Sequence, residues 1–239
     1  MLKNIVIIGS SGALGSAFTN QIALSNPQAV IHAFSSKECH IENENVIVHL
    51  IDYDSESSIE SAALSASNEF PLDLVIVTTG ILHDGDLLPE KSLKVLSAEK
   101  MHILFNANTV LPAIIAKHFT PHLNRNTPSF FAILSARAGS ISDNQFGGWY
   151  SYRASKAALN MIIKNLAIEV GRRNKKAVIV GLHPGTVDSK LTQPYQKNIP
   201  EGQLFSADYS ALKLLDVLFA LKPENSGQFF AWDGEEIAP

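Results

Sequence analysis

The chain alternates between short apolar, β-branched runs and longer segments in which apolar residues recur at helical spacing. Such runs predict strands, and their alternation with helices predicts right-handed crossovers within a parallel sheet that is covered on both faces. We therefore predict a single doubly wound α/β domain over residues 1–239, with a seven-stranded, mostly parallel sheet. The predicted strands are Asn4–Ile8, Ala29–Phe34, Val46–Ile51, Asp73–Thr78, Ser129–Ser135, Ala177–His183 and Gln228–Trp232.

Two segments depart from the short alternating units. A long helix is predicted over Ala98–Leu123, before the fifth strand. The segment Thr186–Ser206 contains Pro194, Pro200 and Gly202 and is predicted to be irregular. Because loops of this length are uncommon inside a compact domain, we expect residues 186–206 to form a lid over a functional site.

Composition excludes several classes of protein. The net charge of −4 and the pI near 6.0 argue against a nucleic-acid surface. No apolar run approaches the ~18–20 residues that span a bilayer, so we expect no membrane insertion. Cys39 is the only cysteine, which rules out an intramolecular disulfide and favours a cytoplasmic protein. His118 and His122 lie four residues apart but have no evident third ligand, so no metal site is expected.

Glycines follow the first predicted strand directly and precede a helix. Gly9, Gly12 and Gly15 let main-chain N–H groups approach a pyrophosphate, to which the helix N-terminus adds its partial positive charge. Ser10 and Ser11 offer further donors. The spacing predicts a nucleotide-binding turn, although a tight strand–helix turn without a ligand is the alternative.

The end of the second strand bears on the choice of cofactor. NAD sites place an acid there, about 20 residues after the glycines, to hold the ribose hydroxyls. This chain has Ser35, Ser36 and Lys37 instead, which suit a 2′-phosphate and favour NADP(H) over NAD(H), unless Lys37 is simply solvated. Asp52 ends the third strand, where its carboxylate would accept a hydrogen bond from the adenine amine; an Asp at a strand end also begins helices, and Asp54 or Ser55 would be the N-cap of the next helix.

Tyr152 and Lys156 are four residues apart in a strongly periodic helical segment, so they share one helix face. A nearby ammonium favours the phenolate and lowers the pKa of a tyrosine from its usual value of about 10. The pair predicts a proton donor. Tyr150 lacks such a partner, because Ala154 lies four residues after it.

These motifs together, in this order along the chain, resemble the short-chain dehydrogenase/reductase family, whose members have a Rossmann fold. The likeness covers essentially the whole chain and is greatest to the carbonyl-reductase-like branch that includes the C-factor (C-signal) proteins. The motifs that carry it are Gly9-x-x-Gly12-x-x-Gly15, Asp52, Thr78-Thr79-Gly80, Asn108, Ser135-Ala136-Arg137-Ala138-Gly139-Ser140, Tyr152-x-x-x-Lys156 and Pro184-Gly185-Thr186-Val187.

The resemblance implies a role for each matching residue. Tyr152 would be the general acid/base, Lys156 would lower its pKa and hold the nicotinamide ribose, and Asn108 would anchor a water that extends a proton relay from Lys156. The implied cofactor contacts are Gly9, Ser10, Ser11, Gly12, Leu14, Gly15, Ser35, Ser36, Lys37, Asp52, Thr79, Gly80, Pro184, Gly185, Thr186, Val187 and Ser189.

The serine motif departs from the family. Two serines usually end the fifth strand and the second is catalytic, but here the second position is Ala136. A one-residue offset reverses side-chain direction along a strand. Either the strand end is bulged and Ser135 binds the substrate carbonyl, which is our prediction, or Ser140 does so, or no serine does. Trp149 and Tyr195 are expected to line the substrate pocket.

The primary hypothesis is a cytoplasmic NADP(H)-dependent oxidoreductase that interconverts a small-molecule carbonyl and an alcohol. One alternative is a nucleotide-binding signalling or regulatory protein with weak or no catalysis, which Ala136 and the C-factor likeness suggest. A dehydratase or epimerase on the same scaffold is another. The resemblance also implies a homodimer or homotetramer.

Overall fold

The computed structural model describes residues 2–239 and contains the predicted doubly wound α/β fold. Seven parallel strands follow the order β3-β2-β1-β4-β5-β6-β9, and a separate two-stranded sheet joins β7 to β8. The strands are β1 Asn4–Ile8, β2 Val30–Ser35, β3 Val46–Leu50, β4 Leu74–Val77, β5 Ser129–Leu134, β6 Ala177–His183, β7 Thr186–Val187, β8 Leu204–Phe205 and β9 Phe229–Ala231. The helices are α1 Ala13–Ser25, α2 Glu56–Ala66, α3 Ala98–Phe105, α4 Leu111–Phe119, α5 Tyr150–Arg173 and α6 Ala207–Ala220.

The central strands are apolar on both faces because helices cover both sides of the sheet. Every residue of β1, β4 and β5 is buried. On one side α2, α4 and α5 bury side chains such as Ile59, Phe119 and Ile163. On the other side α1 and α6 bury Phe18, Leu214 and their neighbours. The strand order reverses between β1 and β4, and ligands of open α/β sheets bind at such a reversal, beyond the carboxyl ends of the strands.

The predicted long helix is interrupted in the structure. Residues Asn106–Val110 form a π-helical turn between α3 and α4, in which the Leu111 N–H donates to the carbonyl of Asn106. Pro112 lies in the first turn of α4, where its missing N–H costs little. A 3₁₀ turn over Thr120–His122 then ends the segment. The helix predicted over 98–123 is therefore several shorter helical pieces that follow one another directly.

The expected lid is more ordered than its composition predicted. Thr186–Val187 pairs in parallel with Leu204–Phe205, and a 3₁₀ helix occupies Gln193–Asn198 between them. The prediction of an irregular segment was wrong in this respect, because a two-strand pairing closes the ends of the loop. Within residues 2–239, no helix combines the length and apolarity that crossing a bilayer requires.

Candidate active site

The glycine turn between β1 and α1 is built for close main-chain approach. Gly9 has φ +90°, and a Cβ there would lie 2.5 Å from the Thr78 Oγ1. A Cβ on Gly15 would overlap the carbonyl of Gly9. The Gly12 N–H donates to the same carbonyl at 3.0 Å. Side chains are thus excluded from the turn. The Gly9 and Ser10 N–H groups donate to the Phe34 carbonyl at 2.9 and 3.0 Å, so the start of α1 is what the turn offers to a phosphate-bearing ligand.

Two of the serines predicted to bind the cofactor make hydrogen bonds within the protein. The buried Ser10 hydroxyl donates to the carbonyl of Phe34 at 3.1 Å, which ties the turn to β2. The buried Ser35 hydroxyl donates to Ser11 Oγ at 2.8 Å and accepts the Lys37 N–H at 3.1 Å. These two hydroxyls shape the site instead of facing solvent.

Three other predicted residues at this end of the sheet stay exposed. Ser36 and Lys37 lie just beyond β2 with their side chains free of the core. Asp52 lies just beyond β3, and its carboxylate accepts the Asp54 N–H at 3.0 Å. Ser55 caps α2 by accepting the Ser58 N–H, so the next helix does not use Asp52 as its cap.

Tyr152 and Lys156 lie on the same buried face of α5, and both line one cavity. The Lys156 Nζ donates to the carbonyl of Leu134 at 3.1 Å, which fixes the ammonium at the end of β5. A Cβ on Gly80 would lie 3.3 Å from this Nζ, so the chain just beyond β4 passes close to the lysine. Tyr150 is 40% exposed and lies outside this cluster.

Burial dominates the electrostatics of the pair. It raises the pKa of Tyr152 to about 12 and lowers the pKa of Lys156 to about 8. Both shifts disfavour the charged form, as desolvation does. The expectation that Lys156 lowers the pKa of Tyr152 is therefore not met by the protein groups alone. A buried phenol that keeps its proton at neutral pH is still suited to donate it.

Asn108 lies within the π-helical turn and is fully buried. Its Oδ1 accepts the Ile81 N–H and its Nδ2 donates to the Ile81 carbonyl, both at 2.9 Å. Its Nδ2 also contacts Ser155 Oγ at 3.2 Å. The amide therefore fastens the chain beyond β4 to α5 next to Lys156, and the interrupted helix is what brings it there.

A cavity of about 940 Å³ reaches from the start of α1 to the tyrosine. Leu14 of α1, Thr79 and Gly80 beyond β4, and Tyr152 and Lys156 of α5 all line it. The Thr79 Oγ1 is buried and has no hydrogen-bond partner among residues 2–239, which fits a polar ligand at this position. The volume and the open glycine turn fit the dinucleotide that the sequence predicted.

The sequence matches the short chain dehydrogenase family over residues 3–200. The chain is a member of that family, and its fold agrees with the match. It is a dehydrogenase/reductase enzyme.

Relatives of this short-chain dehydrogenase fall in the branch that its motifs indicated. The C-signal protein of Myxococcus xanthus is 34% identical over 133 residues, which cover 56% of this chain and 75% of that protein. A 1-hydroxy-2-glutathionyl-2-methyl-3-butene dehydrogenase of Rhodococcus is 29% identical over 185 residues, 77% of this chain and 76% of its own. The NADPH-bound carbonyl reductase from chicken fatty liver superposes with a TM-score of 0.83 at 26% identity, covering 100% of this chain and 96% of that one. This dehydrogenase is therefore similar to a carbonyl reductase in its overall structure.

The predicted loop after β6 borders the same cavity. Pro184, Gly185, Thr186, Val187 and Ser189 all line it. Gly185 has φ +73°, and a Cβ there would lie 2.7 Å from the ring of Phe205. The Ser189 hydroxyl donates to the Val187 carbonyl at 3.3 Å. Phe205 of β8 therefore packs directly against this turn.

At the position of the family's usual second serine, this dehydrogenase has Ala136, whose methyl group lies beside Tyr152. Ala136 packs in the same apolar cluster as Tyr152. The Ser135 hydroxyl donates to Asn160 Oδ1 at 2.7 Å, and β5 keeps regular register with β6 up to Leu134, so its end is not bulged. The Ser140 hydroxyl donates to the Ala238 carbonyl at 2.6 Å. Substrate binding by Ser135 stays a prediction, and it requires that hydroxyl to leave Asn160.

The two predicted pocket residues lie next to the tyrosine. The ring centroids of Trp149 and Tyr152 are 6.1 Å apart, and those of Trp149 and Tyr195 are 5.1 Å apart. Leu82 and Leu191 complete an apolar wall. Neither leucine carried a motif, so the sequence pattern alone did not indicate them.

Two further polar residues lie near the cavity, and the sequence did not indicate a role in the site for either. His183 lines the cavity at the end of β6, and burial lowers its pKa to about 4, which keeps the ring neutral. Glu90 is 2% exposed, and its carboxylate contacts Ser151 at the start of α5. A lone glutamate 61 residues from its partner leaves no periodic or spacing pattern that would reveal it.

Proposed function

We propose that this dehydrogenase interconverts an apolar or aromatic carbonyl compound and its alcohol with NADP(H), using Tyr152 as the proton donor and acceptor. The observation that carries the proposal is a single cavity lined by Leu14, which follows the glycine turn at the start of α1, and by Tyr152 and Lys156. The apolar wall of Leu82, Trp149 and Tyr195 favours an apolar or aromatic substrate.

Each side chain has a distinct task in this proposal. When bound, the dinucleotide would supply or accept the hydride. Tyr152 keeps its proton at neutral pH because burial raises its pKa, and it would give that proton to the carbonyl oxygen during reduction. Lys156, whose Nζ donates to the Leu134 carbonyl, would stabilise the phenolate left behind. Asn108 fixes the neighbouring chain and would anchor the water that returns a proton by way of Lys156.

The choice of NADP(H) rests on the end of β2. Ser36 and Lys37 are exposed there, where a 2′-phosphate would need hydrogen bonds and positive charge. The NADPH-bound carbonyl reductase from chicken fatty liver supports this choice. Titration of intrinsic fluorescence with NADPH and with NADH tests it, and equal affinity for the two would refute the preference.

The test of the proton donor compares two tyrosines on the same helix turn. Tyr152→Phe should keep the fold and the affinity for NADPH but lose about 10²–10⁴-fold in kcat. Tyr150→Phe is the matched control, because Tyr150 is 40% exposed and lies outside the cavity cluster. Oxidation of NADPH with a panel of aldehydes, ketones and quinones provides the assay. Unchanged turnover by the Tyr152 variant would exclude the proposed acid.

The second candidate function is a nucleotide-binding signalling protein with weak or no catalysis. Ala136 beside Tyr152 favours it, because the substrate carbonyl then lacks a neighbouring serine hydroxyl. The similarity to the C-signal protein of Myxococcus xanthus points the same way. In this case NADPH binds with normal affinity, but no carbonyl in the panel is reduced.

We also propose a homo-oligomer, a dimer or tetramer, formed through the outer faces of α3–α4 and α5. Ile103, Val110, Met161 and Ile168 are between 44% and 62% exposed on these elements. Apolar side chains grouped on an outer face favour burial against a second copy. Light scattering after gel filtration should give a multiple of the 26.0 kDa chain mass, and a monomer would refute the proposal.

A further inference from the structure

The catalytic helix begins without a cap of its own. Gly147, Gly148 and Trp149 have φ of +62°, +61° and +49°, so three consecutive residues before α5 are left-handed. Trp149 is the one non-glycine residue with positive φ among residues 2–239, and its side chain cannot accept the N–H groups that follow. Those first-turn N–H groups need acceptors. Tyr152 belongs to this first turn.

The missing acceptor comes from the loop between β4 and α3. Glu90 Oε2 accepts the Ser151 N–H at 3.2 Å, and Glu90 Oε1 accepts the Ser151 hydroxyl. The main-chain carbonyl of Glu90 accepts the Trp149 N–H at 2.5 Å. Both Glu90 and Ser151 are buried, and a carboxylate is favoured at the positive end of a helix. Glu90 therefore contacts the two residues on either side of the helix start.

The same loop forms part of the cavity wall. Ile81, Leu82 and Lys91 line the cavity, and Lys91 directly follows Glu90. A Cβ on Gly148 would lie 3.4 Å from the Glu90 carbonyl, so the chain before α5 packs against this point of the loop. The Lys100 Nζ donates to the Asp86 carbonyl at 2.7 Å and fastens the loop to α3. Glu90 is thus the junction between the substrate side of the cavity and the helix that carries Tyr152.

We propose that Glu90 is a positioning residue for the reaction: its carboxylate replaces the absent cap of α5 and holds Tyr152 in register with the cavity wall formed by residues 81–91. The inference rests on the proposed function, because it assigns Tyr152 as the group to be positioned. Glu90 itself does not contact the reacting atoms. Its contribution is the placement of the first turn, and small displacements of a reacting group cost about 10²-fold in rate.

Two substitutions separate hydrogen bonding from charge. Glu90→Ala removes both side-chain contacts to Ser151, and we expect kcat to fall about 10–100-fold with the NADPH Kd unchanged within about twofold. Glu90→Gln keeps both contacts, because its oxygen accepts the Ser151 N–H and its amide donates to Ser151 Oγ. We expect the glutamine variant to stay within about threefold of the parent in kcat.

Asp73 provides the matched control for general loss of stability. It is 4% exposed and accepts from Lys3 N at 2.7 Å, Asn4 N at 3.3 Å and Asn124 Nδ2 at 2.8 Å. It lies before β4, at the amino ends of the strands and therefore away from the cavity. Asp73→Ala should lower Tm at least as much as Glu90→Ala but leave kcat unchanged well below Tm.

Hydrogen exchange in the cofactor-free protein gives a readout independent of turnover. The amides of residues 150–153 should exchange faster in Glu90→Ala and at the parent rate in Glu90→Gln and Asp73→Ala. Parent-like exchange and kcat in the alanine variant would overturn the proposal, as would a glutamine variant as impaired as the alanine variant. If the parent protein reduces no carbonyl, the proposed function fails. Hydrogen exchange of residues 150–153 then still decides whether Glu90 caps α5.

Discussion

Replacing Lys156 by methionine should make the cofactor-free protein more stable at neutral pH while abolishing activity. Burial lowers the pKa of Lys156 from 10.5 to about 8, which corresponds to about 3 kcal/mol of penalty on the ammonium. The variant also loses the hydrogen bond from Nζ to the Leu134 carbonyl, which is worth about 1 kcal/mol. The net gain at pH 7 is therefore about 2 kcal/mol.

The stability gained by Lys156→Met should decrease as the pH rises. Between the folded pKa of about 8 and the unfolded value of 10.5, the unfolded chain binds the extra proton, so the stability of the parent protein rises with pH. The stability that the parent protein gains from the deprotonation of Lys156 is complete above pH 10.5 and is lost as the pH falls through 8. The advantage of Lys156→Met should consequently shrink by about 2 kcal/mol between about pH 7 and pH 9.5.

Urea unfolding followed by tryptophan fluorescence measures this difference at each pH, because other titrating groups cancel between the two proteins. Lys164→Met, at an exposed position two helical turns further along α5, is the control, and its difference from the parent should not vary with pH. A difference for Lys156→Met that stays constant within about 0.5 kcal/mol across this range would refute the argument that burial of the ammonium destabilises the folded state.

Three further changes test other parts of the site. Ser135→Ala should lower kcat about fivefold, because the predicted hydrogen bond from Ser135 to the substrate carbonyl is lost, and Ala136→Ser should raise kcat about fivefold by offering that carbonyl a hydrogen bond beside Tyr152; steady-state kinetics measures both changes. Gly15→Ala should lower the free energy of unfolding by about 1–3 kcal/mol and weaken NADPH binding, because its methyl group overlaps the Gly9 carbonyl, and retained binding would contradict this. Lys37→Glu should weaken NADPH binding at least about tenfold and leave NADH binding unchanged, as measured by calorimetry.

The sheet could be predicted from the sequence because burial on both faces leaves a simple pattern. The predicted strands Asn4–Ile8 and Ala177–His183 coincide with β1 and β6, and the others differ by one or two residues at their ends. The interrupted helix could not be predicted in the same way. Residues on both sides of Asn106–Val110 keep apolar spacing, and a π turn adds a residue without an obvious change in composition.

Side-chain direction at the site was harder to predict than position. Tyr152, Lys156 and Asn108 converge as their spacing and family likeness implied. The Ser10 and Ser35 hydroxyls form internal hydrogen bonds instead, because main-chain and hydroxyl partners 24 residues away lie within reach only in the folded chain. Glu90 and Ser151 likewise meet only through tertiary structure. Local sequence encodes which elements form, whereas such distant partners depend on how the elements pack.

The π turn at Asn106–Val110 limits how this protein can change in length during evolution. Deleting one residue there would restore an unbroken α-helix and improve local hydrogen bonding. It would also rotate everything on one side of the deletion by about 100° relative to the other side. Asn108 would then no longer reach Ile81. Insertions and deletions should therefore be absent from this stretch in functional descendants, although a regular helix would be locally more favourable.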